Sequence, residues 1–266
     1  MNNITKNQHF VPQFYQRFWK CEDNYIYRLN KKTGRIDKVS IKNNCSKDYL
    51  YEPDINKPNN FFENNYSEKE NEYSKYFSTL IPILESGLKL KLSDKDRRTI
   101  SDFIGNLISR HPDSIDEAFK SKFLDIFTIG LDDKVVEKKY MSLVFSTVQE
   151  KEISDFLYSL NIRIIKCNNL AKNIVCFSNK IFSFKDNKNN FFLYFPLSPN
   201  LLLKFDNSSS NISDGNLEVN EYFNALCFRK SIKEIYANNK GILELIKSGH
   251  LDKIREFDKL FNKSTI

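Results

Sequence analysis

Glycine and proline are both scarce, with seven of each in 266 residues. The chain contains no G-x-G-x-x-G, no G-x-x-x-x-G-K-[ST] and no G-x-S-x-G. These absences exclude the dinucleotide-binding fingerprint, the phosphate-cradling P-loop and the strained nucleophile elbow. The five cysteines form no C-x-x-C pair, and the three histidines lie far apart. That argues against a zinc ribbon, a disulfide scaffold or a haem-attachment site, so neither a metal nor another cofactor is expected. No run of roughly 18 apolar residues occurs, so no helix is expected to span a membrane. The opening MNNITKNQHF lacks the pattern of a signal peptide. A cytoplasmic protein with no membrane partner is the expectation.

Hydrophobic residues make up 40% of the chain and charged residues 28%, a globular composition with ample material for a core. The abundant Asn, Lys, Ile and Phe have AT-rich codons and carry little weight as signals. No internal repeat and no long linker divides the chain, so a single α+β domain over 1–266 is expected. Its parts are an N-terminal arm and β-hairpin (1–60), a central helical bundle (61–160), and a small C-terminal sheet with closing helices (161–266).

Tyr25–Leu29 alternates apolar and polar residues, and a second strand-like run spans Arg35–Ile41, with Gly34 supplying the turn between them. Tyr73, Phe77, Leu80, Leu84 and Leu88 recur at helical spacing. Pro82 predicts a kink in that helix and Gly87 its stop. Ser93, with Asp94 and Asp96, opens a second helix whose stripe is Ile100, Phe103, Ile104, Leu107 and Ile108, ended by Pro112. Further helices run through Phe127, Val144 and Phe156. Strand-like runs follow at Ile162–Lys166, Ile174–Phe177, Phe191–Phe195 and Leu201–Phe205, then helices over Glu218–Arg229, near 240–248 and near 250–262.

Four features carry candidate chemistry. His9 sits in Asn7-Gln-His-Phe-Val-Pro-Gln-Phe-Tyr15; it reads either as a general acid/base or as part of an arm anchored by Phe10, Val11, Phe14 and Trp19. Glu70 interrupts the stripe Tyr66, Tyr73, Phe77; it reads either as a paired buried carboxylate or, through Ser67-x-x-Glu70, as a capping box. Arg110 continues the stripe of the second helix, and the inter-helix turn centres near residue 90. An antiparallel hairpin would therefore set Glu70 and Arg110 at one level, as a bidentate pair or a purely structural one. Finally, residues 1–50 hold ten Lys/Arg against four acids, a net +6 of the chain's +7. Arg28, Lys31, Lys32, Arg35 and Lys38, with Tyr25 and Tyr27, read either as a nucleic-acid surface or as a solvated one. Cys21, Cys45, Cys167, Cys176 and Cys227 read as small buried hydrophobes.

Gln8-His-Phe-Val-Pro-Gln-Phe-Tyr15, followed by Phe18, resembles the start of the bacterial domain-of-unknown-function family 4238. Glu63 and Glu70 match its Glu-bearing helix, and Phe103–Arg110 its Arg-ended helix. Phe195-Pro-Leu-Ser-Pro199 matches a later element, and Asn220–Tyr236 its closing helix. The resemblance spans nearly the whole chain. One departure falls at Cys176-Phe-Ser-Asn-Lys-Ile181, where Asn179 replaces the family's usual acid and no proline follows. The resemblance implies a fold and a set of polar positions but no reaction. Its bacterial setting is compatible with mobile-element or phage-defence roles.

The leading expectation is an enzyme whose site gathers His9, Gln13, Glu70 and Arg110. His9 would be the general acid/base, Glu70 its orienting group and Arg110 the anion holder. With the basic hairpin, the concrete form is a metal-independent, ribonuclease-like hydrolase acting on RNA or DNA, with a role in phage defence or as a toxin-like effector. The alternative is a non-enzymatic module that binds nucleic acid, a protein partner or a second copy of itself, its His/Glu/Arg set being structural. An open cleft favours the first and a sealed network the second.

Overall fold

The computed structural model describes residues 4–88, 91–121, 124, 134–166, 177–178, 181–185, 191–207, 223–224, 227–229, 231 and 233–248. The fold is α+β. It divides into two compact units, each built from three stretches of chain: 1–14, 43–78 and 91–159 in the first, and 15–42, 79–90 and 160–266 in the second.

In the first unit, β1 (Asn7–His9) pairs antiparallel with β4 (Ser46–Asp48), placing His9 opposite Ser46. Among the described residues its helices are α2 (Phe61–Glu85, as far as Ser78), α3 (Asp94–Ser109), α4 (Pro112–Lys120) and α5 (Lys134–Ser159). α3 begins in a full capping box: Ser93 Oγ accepts from the Asp96 amide at 3.2 Å, and Asp96 accepts from the Ser93 amide at 2.8 Å. Pro112 takes the first position of α4, where its missing N–H costs nothing, and His111 Nδ1 accepts from the Asp113 amide at 3.2 Å.

The core of this unit holds an aromatic group of Phe14, Tyr73, Phe77 and Phe103. A second group holds Leu50, Tyr51, Phe62, Tyr66, Ile115 and Leu143. α3 and α5 approach closely because both present small buried residues, Ser101, Gly105 and Ser109 on one and Ser142, Ser146 and Ser154 on the other. A Cβ on Gly105 would stand 2.8 Å from the Glu150 carbonyl oxygen.

In the second unit, a four-stranded sheet has the order β3-β2-β10-β6, from Ile36–Ser40, Tyr25–Asn30, Glu234–Ala237 and Phe177–Ser178. A second sheet has the order β5-β9-β8-β7, from Asn161–Lys166, Leu201–Asp206, Phe191–Ser198 and Phe182–Lys185. Gly34 turns the β2–β3 hairpin with φ +66°, in the left-handed region that suits glycine. A core of Leu29, Ile165, Leu202, Ile235, Ile242 and Leu243 joins the sheets to α6 (Lys240–Lys247). Tyr15 packs on Trp19, Phe177 and Phe195 and donates its hydroxyl to the Pro196 carbonyl. Ser198 of the Pro-Leu-Ser-Pro element donates to Glu85 at 2.6 Å, and Asn200 adds a second bond to the same oxygen at 3.3 Å.

The hairpin, the cap at Ser93 and the helical stretch from 61 stand as expected. Others differ. α2 ends at Glu85, so Leu88 falls outside it and is exposed; a glycine at φ +82° follows at 87 and stops the helix before another apolar turn. Tyr236 lies in strand β10, not in a closing helix. The N-terminal hairpin is therefore completed by a strand from the far end of the chain, a pairing that local periodicity does not encode. β7 carries a strand not expected there. Cys45 and Cys227 are buried, whereas Cys21 is only partly so. Phe127, Cys167, 174–176, Asn179, Asn220 and the helix near 250–262 lie outside the described residues.

Candidate functional site

Arg110, the C-cap of α3, is buried, at 1% side-chain exposure. Burying a guanidinium is tolerable only if its donors are used, and all three nitrogens are. Nη1 donates to Glu70 Oε1 at 2.7 Å, with Asn106 Oδ1 at 3.5 Å. Nε donates to the Tyr51 hydroxyl at 3.1 Å. Nη2 donates to the backbone carbonyl of His9. The Tyr51 proton is shared between the carbonyls of Arg110, at 3.2 Å, and His9, at 3.3 Å. The Tyr66 ring face lies 4.6 Å from the guanidinium carbon, adding a cation–π contact. Burial opposes the charged guanidinium, but Tyr51 and Glu70 outweigh it and hold the Arg110 pKa above its ordinary value.

Glu70 stands at the level of Arg110, one turn from Tyr66 and Tyr73, as the hairpin geometry requires. The contact uses one carboxylate oxygen, so it is not bidentate, and Glu70 keeps 24% side-chain exposure. Ser67 and Glu70 lie inside α2, which begins at Phe61, so Ser67-x-x-Glu70 is not a capping box. The helix start is held elsewhere: Glu52 accepts from the amides of Asn59 at 2.9 Å and Asn60 at 3.1 Å. Asn60 itself adopts φ +58°.

His9 meets this network through its main chain; the imidazole is not a partner of Glu70 or Arg110. Gln13, half-buried, opens the short helix α1 (Gln13–Gln16) and is not among the Arg110 partners either. The arm is held mainly by Gln8, which is fully buried. Its Oε1 accepts from the Tyr51 amide at 2.6 Å, and its Nε2 donates to Glu52 at 3.2 Å and to the Thr5 carbonyl at 3.1 Å. A second polar layer lies along α2 and α5: Glu150 accepts from Lys69 at 2.8 Å and 3.0 Å and from Asn106 at 3.1 Å.

Glu63, one helical repeat before Glu70, is the titratable group that residue-type reasoning passed over. Burial, opposed by Arg110 and reinforced by Glu70 and Glu52, raises its pKa to about 7. Its Oε2 is buried without a hydrogen-bond partner. The i, i+7 spacing to Glu70 was the available signal; Tyr51 and Glu52, in a loop without periodicity, offered none.

The basic strand residues are largely neutralised within the second unit. Arg28 bonds Asp37 through Nε at 3.2 Å and Nη2 at 3.1 Å, and Glu234 at 3.1 Å. Lys38 pairs with Glu22 at 2.7 Å. Lys31 donates to the Ser231 carbonyl at 2.5 Å and faces the Phe228 ring. Lys32 and Arg35 are exposed, Arg35 with Asp37 at 3.7 Å. Among the described residues no three or more His, Cys, Asp or Glu side chains are grouped to hold a metal ion, and no helix is long and apolar enough to cross a membrane.

A family model described as a protein of unknown function, DUF4238, matches residues 7–241. The chain belongs to this family. The match takes in β1, the Arg110 network and both four-stranded sheets of this DUF4238 member. No curated protein and no solved structure matches the chain.

Proposed function

We propose that this DUF4238 protein is a binding module, and that its His9–Glu70–Arg110 set is a structural lock holding the N-terminal arm on α2 and α3. One observation carries the reading: every nitrogen of the buried Arg110 already bonds a protein group, and His9 contributes its carbonyl. An anion-holding arginine needs donors open to the ligand, whereas this guanidinium is enclosed, at 1% side-chain exposure. Internal pairing of Arg28 and Lys38 also favours a protein or peptide partner over a phosphodiester.

The hydrolase reading keeps one specific support. Glu63, with its pKa near 7 and an unpartnered oxygen, has the properties of a general acid/base. Expression of wild type, His9→Ala and Glu63→Gln in one host, followed by total RNA and nucleotide profiling, separates the two. The binding reading expects three indistinguishable profiles. A change produced by wild type and abolished in a folded Glu63→Gln variant would establish the enzyme.

A further inference from the structure

Where α2 begins, a groove of about 710 Å³ opens between its first two turns and α5. Phe61, Phe62 and Tyr140 wall it, with Asn59, Asn65 and Glu68. Phe61 and Phe62 meet with ring centroids 5.2 Å apart and planes at 90°; Phe62 and Tyr140 lie 5.8 Å apart at 63°. The rings thus form a corner. Phe62 is its buried floor, while Phe61 and Tyr140 are 62% and 42% exposed.

Phe61, Asn65 and Glu68 stand at i, i+4 and i+7, on one face of α2. The Glu68 carboxylate makes no ion pair among the described residues. Among the described residues no Lys, Arg or His lines the groove. The positive end of α2 is already met by Glu52, which takes the Asn59 and Asn60 amides.

Two exposed aromatic rings packed edge-to-face around a buried third, one carboxylate, amide oxygens and no cation among the described residues suit one ligand chemistry. We infer that this groove is a binding site for a compact organic cation, an alkylammonium or guanidinium group. Ring faces attract such a cation through their quadrupole, and Glu68 supplies the counter-charge. A phosphate or carboxylate ligand would meet repulsion from the same groups. The groove shares no lining residue with the Arg110 lock, so the inference stands or falls apart from the binding-module reading.

Calorimetric titration of the full chain with choline, and with its neutral isostere 3,3-dimethylbutan-1-ol, tests it. Choline should bind, with the isostere weaker by about 2- to 30-fold, the range expected of a cation–π contact. Phe61→Leu, Tyr140→Leu and Glu68→Gln should each weaken choline about threefold or more; all three sites are exposed, and unchanged melting temperatures would confirm folding. A Gly/Ser peptide with one central lysine, set against its acetyl-lysine form, identifies the source. Binding of the lysine form alone, tighter than choline, assigns the cation to a partner chain, and the reverse order assigns it to a small molecule. Equal binding of choline and the isostere, no binding of choline or the lysine peptide, or binding indifferent to all three substitutions would overturn the site.

Discussion

Arg110 and Glu63 show how one buried charge sets the behaviour of its neighbours. Arg110 is fully enclosed, so losing its partners strands a charge. Arg110→Met should destabilise by about 3 kcal/mol, and Glu70→Gln, on the more exposed partner, by about 1–2 kcal/mol. The double variant should cost clearly less than the two together, as urea unfolding would show. Additive costs would mean that the pair is not coupled. Glu63 works in the opposite direction. Its folded pKa of about 7 lies above the ordinary 4.5, so the folded state holds the proton more tightly than the unfolded one. The resulting stability is fully present below pH 4.5 and is lost as pH rises through 7. Across that window the loss should be on the order of 3–4 kcal/mol, since the shift is from 4.5 to about 7 and each pKa unit is about 1.4 kcal/mol. Glu63→Gln, which keeps the neutral shape, should flatten this window, measured as unfolding free energy between pH 5 and 8. An unchanged slope would place Glu63 in water.

At the scale of elements, α3 and α5 touch through small residues rather than through a stripe of large ones. Gly105 is decisive because a methyl there would press on the backbone oxygen of Glu150, which has no side-chain freedom to yield. In an open helix, Gly→Ala stabilises by up to about 1 kcal/mol. Here Gly105→Ala should instead destabilise by about 1–3 kcal/mol, through overpacking. The displaced turn of α5 carries Glu150, so the Asn106 and Lys69 bonds to it should weaken as well. A melting temperature that rises in the variant would show the helices free to part without cost.

Over the whole molecule, the charge total hides its arrangement. Most of the net +7 resides in the first 50 residues, yet Arg28 and Lys38 spend their charge on Asp37, Glu234 and Glu22. Counterion release scales with the cations free to meet phosphates. RNA binding at low salt should therefore be weak, with only a shallow salt dependence. Lys32→Gln with Arg35→Gln should reduce it further, whereas Arg28→Gln should leave the affinity unchanged while lowering stability. Filter binding of single-stranded RNA over a salt series measures this. Tight binding that persists at physiological salt would return phosphodiesters to the list of partners.

What the amino-acid sequence alone dictates here is local or periodic. The hairpin at Gly34 follows from alternation and a turn glycine, and the start of α3 from Ser93 and Asp96. The level match of Glu70 with Arg110 follows from counting equal steps along two antiparallel helices. Each needs only neighbours a few residues away or the constant rise of a helix. The features of the site that decide its chemistry are of another kind. That Arg110 grips the carbonyl of His9 and not its imidazole, that Tyr51 and Glu52 reach the network from an aperiodic loop, and that β10 completes the N-terminal hairpin all depend on which distant segments meet. The same holds for Glu63, whose residue type fits a solvated helix face equally well. Its raised pKa comes from desolvation and from the company of Glu70 and Glu52, and desolvation is a property of the packed chain, not of the residue.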